Sequence, residues 1–291
     1  IWGGDNRLNI TLGRADFWDR RGGLDWAPEQ TYTGIRDLLE RGDEPGMKKL
    51  FEDSEQADGV PRRPSVLPVG RFEIDLGRAR LKRGYLKIDT GEIDLEIRVG
   101  NTRKWMRAVL DMRQPLFVLR LPAGFKPKGV RPIPAWEAVG DYLKSISFEP
   151  PALLERKKFC GWAQERPADP CLCVGCRYHN RELRIAAVEG VSQQSAIASA
   201  TRLLKRSEKT GFASLQRKNR KWWSSYWRDV PHIDIPNRDL LFLYEYGMYK
   251  FAGLTSPRGV AATLQGPWIE EYQMPPLSRD YHFNINVQMC Y

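Results

Sequence analysis

Up to about residue 190 the chain sets short apolar or alternating runs between Gly, Pro, Asn and Asp, the punctuation of strands joined by turns. Residues 8–13, 71–76, 84–89, 92–99, 105–112, 116–121, 143–148, 171–178 and 183–188 read as strands. Asp89-Thr90-Gly91, between two of these runs, is a hairpin turn with glycine where φ must be positive. An insert over 31–53 has helical spacing instead. Many short strands with turn signals predict an antiparallel β-sandwich. From Ser192 to about Asp229 the period becomes helical, with Leu203, Leu204, Leu215 and the i, i+4 pairs Trp222/Tyr226 and Trp223/Trp227 marking inward faces. After Pro236, Asn237 or Asp239 can cap a helix running through Leu241, Leu243, Tyr244, Met248 and Phe251. The fold class is therefore multidomain, β then α, with a sandwich over 1–190, a helical linker over 191–235 and a further unit over 236–291.

A different pattern runs from His282 to Met289, where polar and apolar residues alternate without a break. In an extended backbone His282, Asn284, Asn286 and Gln288 share one face. Amide and imidazole groups both donate and accept hydrogen bonds, which suits the paired character of sugar hydroxyls. Trp268 and Tyr281 can supply apolar faces, so the region reads as a sugar-binding wall. Each residue also has a structural use: Trp268 as packing, His282 as a buried imidazole held by partners, the asparagines as amides bonding local backbone.

Tyr246-Gly247 with Tyr249, then Pro257-Arg258-Gly259, Ala262, Leu264-Gln265-Gly266 and Trp268, then Asp280-Tyr281-His282, Asn284-Ile285-Asn286 and Gln288-Met289 follow one another in a specific order and spacing. That series resembles glycoside hydrolase family 95, the inverting α-L-fucosidases and their α-L-galactosidase relatives. Near the start, residues 8–18 followed by Gly22-Gly23 are similar to the strand and tryptophan-bearing loop that open such enzymes. The resemblance implies that 236–291 begins an (α/α)6 catalytic barrel, and that the partner is an oligosaccharide or glycan with terminal α-L-fucosyl or α-L-galactosyl groups. It implies no cofactor.

An inverting glycosidase needs a carboxylic acid for the leaving oxygen and a base that activates water on the opposite face of the ring. The resemblance implies that Asn284 and Asn286 are the catalytic pair that holds this water, polarised by a neighbouring carboxylate, because an amide is no base by itself. It also implies that His282, Trp268, Gln265 and Tyr281 bind substrate. The family's general acid, a glutamate, and its activating aspartate fall beyond Tyr291, so the chain reads as a fragment expected to be inactive alone. Nothing in the family pattern gives Asp280, Glu270 or Glu271 those roles, and Cys290 stands where relatives usually have asparagine. The substrate class points to an extracellular or periplasmic location.

At 291 residues the chain has length for two domains, and 46 Lys and Arg against 36 Asp and Glu leave a formal charge of +10, which raises the question of nucleic acid. Arg202, Lys205, Arg206, Lys209, Arg217, Lys218, Arg220 and Lys221 crowd the segment that also holds Trp222, Trp223, Tyr226 and Trp227. The ordinary reading is a pair of amphipathic helices with charges facing water, and no nucleic-acid partner is expected. No apolar run is long enough to span a membrane.

Cys171, Cys173 and Cys176, with Cys160 upstream and His179 just beyond, are the donor types of a zinc site. Their spacing is tighter than two separated Cys-x2-Cys pairs, so reduced thiols are expected and no metal is assigned. Five cysteines give no convincing disulfide framework. His232 sits in an extended linker, where a structural role is expected.

Overall fold

The computed structural model describes residues 1–23, 30–51, 58–156, 158–254, 259–260, 263, 266 and 268–275. The first elements are β1 (Trp2–Gly3), β2 (Asp5–Leu12), β3 (Trp18–Asp19), α1 (Tyr32–Glu40), α2 (Glu44–Phe51) and β4 (Ser65–Val66). Then come β5 (Gly70–Lys87), β6 (Glu92–Val99), β7 (Thr102–Leu110), β8 (Leu116–Arg120), β9 (Gly129–Pro134) and α3 (Trp136–Ser145). The strands β10 (Ala152–Arg156), β11 (Phe159–Gln164), β12 (Cys171–His179) and β13 (Glu182–Gly190) precede three helices: α4 (Gln193–Thr210), α5 (Phe212–Asp229) and α6 (Arg238–Leu254).

All pairings are antiparallel, in the order β1-β2-β5-β6-β7-β8-β13-β12-β11-β10, with β9 also on β5. The long strand β5 makes this path double back. Its first half lies between β2 and β9, and its second half pairs with β6. Gly77, at φ +64°, and a register shift between Leu81 and Arg83 bend the strand between the two. Phe72 of β5 then meets Trp162 of β11 with ring centroids 5.3 Å apart, and both are fully buried. One core cluster runs from Leu8, Ile10 and Ile74 to Leu172, Val174 and Leu183, filling the space between the two layers of a β-sandwich.

The outer face of the second layer is covered by helices. Ala196, Ala200 and Leu204 of α4 and Phe212 and Leu215 of α5 pack with Val109, Leu116, Val118, Cys171, Cys173 and Ala186. Small side chains let α4 approach closely: a Cβ added at Gly190 would lie 2.8 Å from the Ala196 Cα. Ser192 and Ser195 form a reciprocal capping box that starts α4 where β13 ends. Glu182 accepts the Phe212 N–H at 3.3 Å, which places a carboxylate at the N-terminus of α5. Asn237 caps α6 as expected, its Oδ1 accepting the N–H groups of Asp239 at 2.9 Å and Leu240 at 3.2 Å.

The expected strand at 143–148 is instead the end of α3 and the residues after it. Val139, Leu143 and Ile146 are buried at spacings of four and three, a helical stripe that Gly140 and the alternation after Leu143 conceal. Strand β9 was also concealed, because it carries Pro132 and Pro134; it tolerates them by pairing only with β5.

Candidate functional site

Two clusters of side chains hold α6 and residues 268–275, described parts of the motif series, against the sandwich and the linker helices. The first is an aromatic seam between α5, the β5–β6 hairpin and α6. Trp223 is buried and stacks on Tyr249 with centroids 5.0 Å apart and planes 16° apart. The Tyr226 hydroxyl donates to the Met248 carbonyl at 2.6 Å, and the Trp227 indole N–H donates to the Ile88 carbonyl at 3.0 Å. Arg220 forks onto the buried carboxylate of Glu92, with one bond at 2.9 Å. The tryptophans of the basic segment thus serve as packing, while Arg202, Lys205, Arg206, Lys209, Arg217, Lys218 and Lys221 are exposed on the opposite faces.

The second cluster holds residues 268–275 against the sandwich. Glu271 is 1% exposed and accepts a hydrogen bond from Arg71 of β5 at 3.0 Å. Ile269 is buried against Trp18 and Val66, and Met274 packs on the main core. The tryptophan-bearing loop near the N-terminus therefore touches the C-terminal motif segment. Neither Arg71 nor Glu271 was picked out as a partner from the sequence, because residues 200 apart in number leave no local signal.

Trp268 is the one candidate substrate residue inside the described part of the chain. It is half exposed, and its ring takes the Lys250 ammonium 4.5 Å from its centroid. The same ammonium lies 5.2 Å from the Tyr246 centroid. Tyr246 in turn stacks on Tyr249 at 6.4 Å. The motif residues Tyr246 and Trp268 thereby share one cation, and Tyr249 joins them through Tyr246. Gly266, at φ +63°, passes beneath the Trp268 ring, since a Cβ there would sit 3.0 Å from Cζ3. This arrangement gives a partly exposed indole on a fixed support. Gln265, Tyr281, His282, Asn284 and Asn286 lie outside the described residues.

The cysteine candidates are divided by the alternation of β12. Cys171 and Cys173 face α4 and α5, whereas Cys176 faces the core between the layers. Burial pushes the Cys171 thiol up to about 11 and the Cys173 thiol up to about 12, and it also raises Cys176 well above its ordinary value. Among the described residues no group of three or more His, Cys, Asp or Glu side chains is arranged to hold a metal ion. No helix among them is long and apolar enough to cross a membrane.

Residues 235–291 match the family model of the Glycosyl hydrolase family 95 catalytic domain, the family whose resemblance the motif series carries. The chain is also similar to "Probable alpha-fucosidase A" of Aspergillus niger, 47% identical over 47 residues, a match that covers 16% of this chain and 6% of that relative's length. Among solved structures it is similar to "Putative kojibiose phosphorylase from human microbiome", at 11% identity and a TM-score of 0.49 over 75% of this chain and 33% of that one.

Proposed function

From the family 95 catalytic-domain match of residues 235–291, we propose that the chain belongs to a glycoside hydrolase that releases terminal α-L-fucosyl or α-L-galactosyl groups from glycans with inversion. That match carries the reading, and the 47%-identical stretch shared with an α-fucosidase supports the sugar class. In this reading 1–190 is a support domain, 191–235 a linker and 236–291 the first part of the (α/α)6 catalytic barrel. The enzyme works outside the cytoplasm.

Inversion requires a water between the sugar and the base, with acid and base roughly 6.5–9.5 Å apart. Asn284 and Asn286 hold that water and, polarised by a neighbouring carboxylate, accept its proton. His282 and Gln265 bond the sugar hydroxyls, and Trp268 and Tyr281 cover its apolar face. A glutamate elsewhere in the catalytic domain protonates the leaving oxygen. The described residues contribute support. The Arg71–Glu271 bond and the contact of Ile269 with Trp18 and Val66 fix the strip next to Trp268 on the sandwich. A site held on a rigid platform loses less to reorganisation when the transition state forms.

Asn284→Ala or Asn286→Ala in protein carrying the whole catalytic domain should lower kcat far more than it changes KM, because these contacts strengthen in the transition state. Normal turnover in either variant removes that residue from the mechanism.

A further inference from the structure

We propose that Cys160 and Cys176 form a redox-convertible pair, closing to a disulfide across β11 and β12 when a small-molecule disulfide is available as oxidant. The two residues are direct partners in the antiparallel register. Directly opposed residues in such a pair have Cα atoms about 4.5 or 5.5 Å apart. Both values lie inside the roughly 4.4–6.8 Å that a disulfide spans without backbone movement. The side chains also point the same way, into the core between the layers: Cys176 is buried there and Cys160 packs against it, partly exposed. Each thiol is close enough to perturb the titration of the other. Cys160 makes one further contact, its thiol lying 3.8 Å from the Val130 carbonyl of β9. Cys171 and Cys173 do not compete for either partner, because they project to the opposite face of β12.

The pair is chemically unequal. Cys160 is partly exposed, with its thiol held below its ordinary value by the neighbouring Cys176, whereas Cys176 is buried and burial raises its thiol. Cys160 is therefore the attacking sulfur. Its thiolate displaces one RS⁻ from a disulfide R–S–S–R and leaves a mixed disulfide on Cys160. Cys176 then gives up its proton as its sulfur attacks the Cys160 sulfur, and the second RS⁻ departs. Two protein thiols are oxidised to one disulfide, and R–S–S–R is reduced to two RSH. The new bond sits two residues from Trp162 and fixes β11 to β12 where β11 faces β9. This inference does not depend on the glycosidase reading.

The test exposes the folded protein to glutathione buffers of increasing oxidised fraction, quenches with acid, alkylates the remaining thiols, and maps peptides by mass. The expected result is loss of the Cys160 and Cys176 thiols together, with a cross-linked peptide pair that dithiothreitol releases. Cys176→Ser should stop the reaction at a glutathione adduct on Cys160, and Cys160→Ser should leave Cys176 unmodified. Three results overturn the proposal: both thiols alkylated in full at the most oxidising ratio, a lasting glutathione adduct on Cys160 in the presence of Cys176, or a cross-link to another cysteine. The wild-type map alone decides between these, so the conclusion holds even where a serine variant misfolds.

Discussion

Replacing Gly91 with alanine tests the account of how the linker helices are seated on the sandwich. Gly91 closes the β5–β6 hairpin at φ +63°, and a Cβ there would enter the edge of the Trp223 indole, 2.7 Å from Cε2. The ring has little room to yield: it stacks on Tyr249 at 5.0 Å and meets Trp222 edge-on at 5.1 Å. A left-handed backbone costs a residue with a Cβ roughly 1–2 kcal/mol. Overpacking a buried contact adds roughly 1–3 kcal/mol. Alanine also lowers the entropy of the unfolded chain, which offsets about 0.4–1 kcal/mol. Gly100 supplies the control, because its φ of +58° is similar but a Cβ there meets nothing within 4 Å. Gly100→Ala therefore carries the backbone and unfolded-chain effects without the collision. Denaturant unfolding followed by tryptophan fluorescence should place Gly91→Ala about 1–3 kcal/mol below Gly100→Ala. Equal stabilities, within about 0.5 kcal/mol, would mean that Trp223 is not held against the hairpin.

Other consequences are as concrete. Burial pushes the Glu92 carboxyl up, but the bonds from Arg220, the nearby Gln216 amide and the charges of Arg220 and Lys87 outweigh it, and the net value lies below the usual carboxylate range. Its stabilisation is thus fully present above about pH 4.3, the unfolded value, and is lost as pH falls through the lower folded value. Stability measured against pH should fall less steeply below about pH 4 in Glu92→Gln than in wild type; parallel curves would contradict this. Glu271→Ala should cost roughly 1–3 kcal/mol by leaving Arg71 without its buried acceptor, and Arg71→Ala should add little to it in the double variant. Additive losses would show that the two residues act separately. Lys250→Met should weaken the seating of Trp268 by roughly 0.5–1 kcal/mol and raise quenching of its fluorescence by acrylamide. Unchanged quenching would remove the cation from the ring face.

The strands whose sides differ in polarity were legible in the sequence. Residues 92–99 emerge with the same bounds because Leu95 and Ile97 face the core while Asp94 and Glu96 form ion pairs with flanking basic residues. Strands without that contrast were legible only where turn residues bound the run, as at 116–121 and 171–178. The residues of β11 are almost all buried, and β9 depends on a bend in β5 that no local pattern encodes. The aromatic pairs on α5 were readable from i, i+4 spacing, whereas their partner Tyr249 lies on another helix. For the candidate site, the motif marked Trp268, but only the three-dimensional arrangement shows Lys250 on its ring and Glu271 bound to Arg71. The cysteines could be judged from alternation: odd and even positions of β12 face different neighbours, and that divides a cluster that is compact in sequence.

The central claim is the reaction assigned to residues 282–286 and their support. Its most direct test is NMR of the first-formed sugar anomer released from α-L-fucosides and α-L-galactosides by protein carrying the whole catalytic domain, with Asn286→Ala alongside. The account predicts an inverted product that disappears with the mutation. Release that survives Asn286→Ala, or a product of retained configuration, would contradict the mechanism, and no release from any substrate would point to a carbohydrate-binding protein without catalysis.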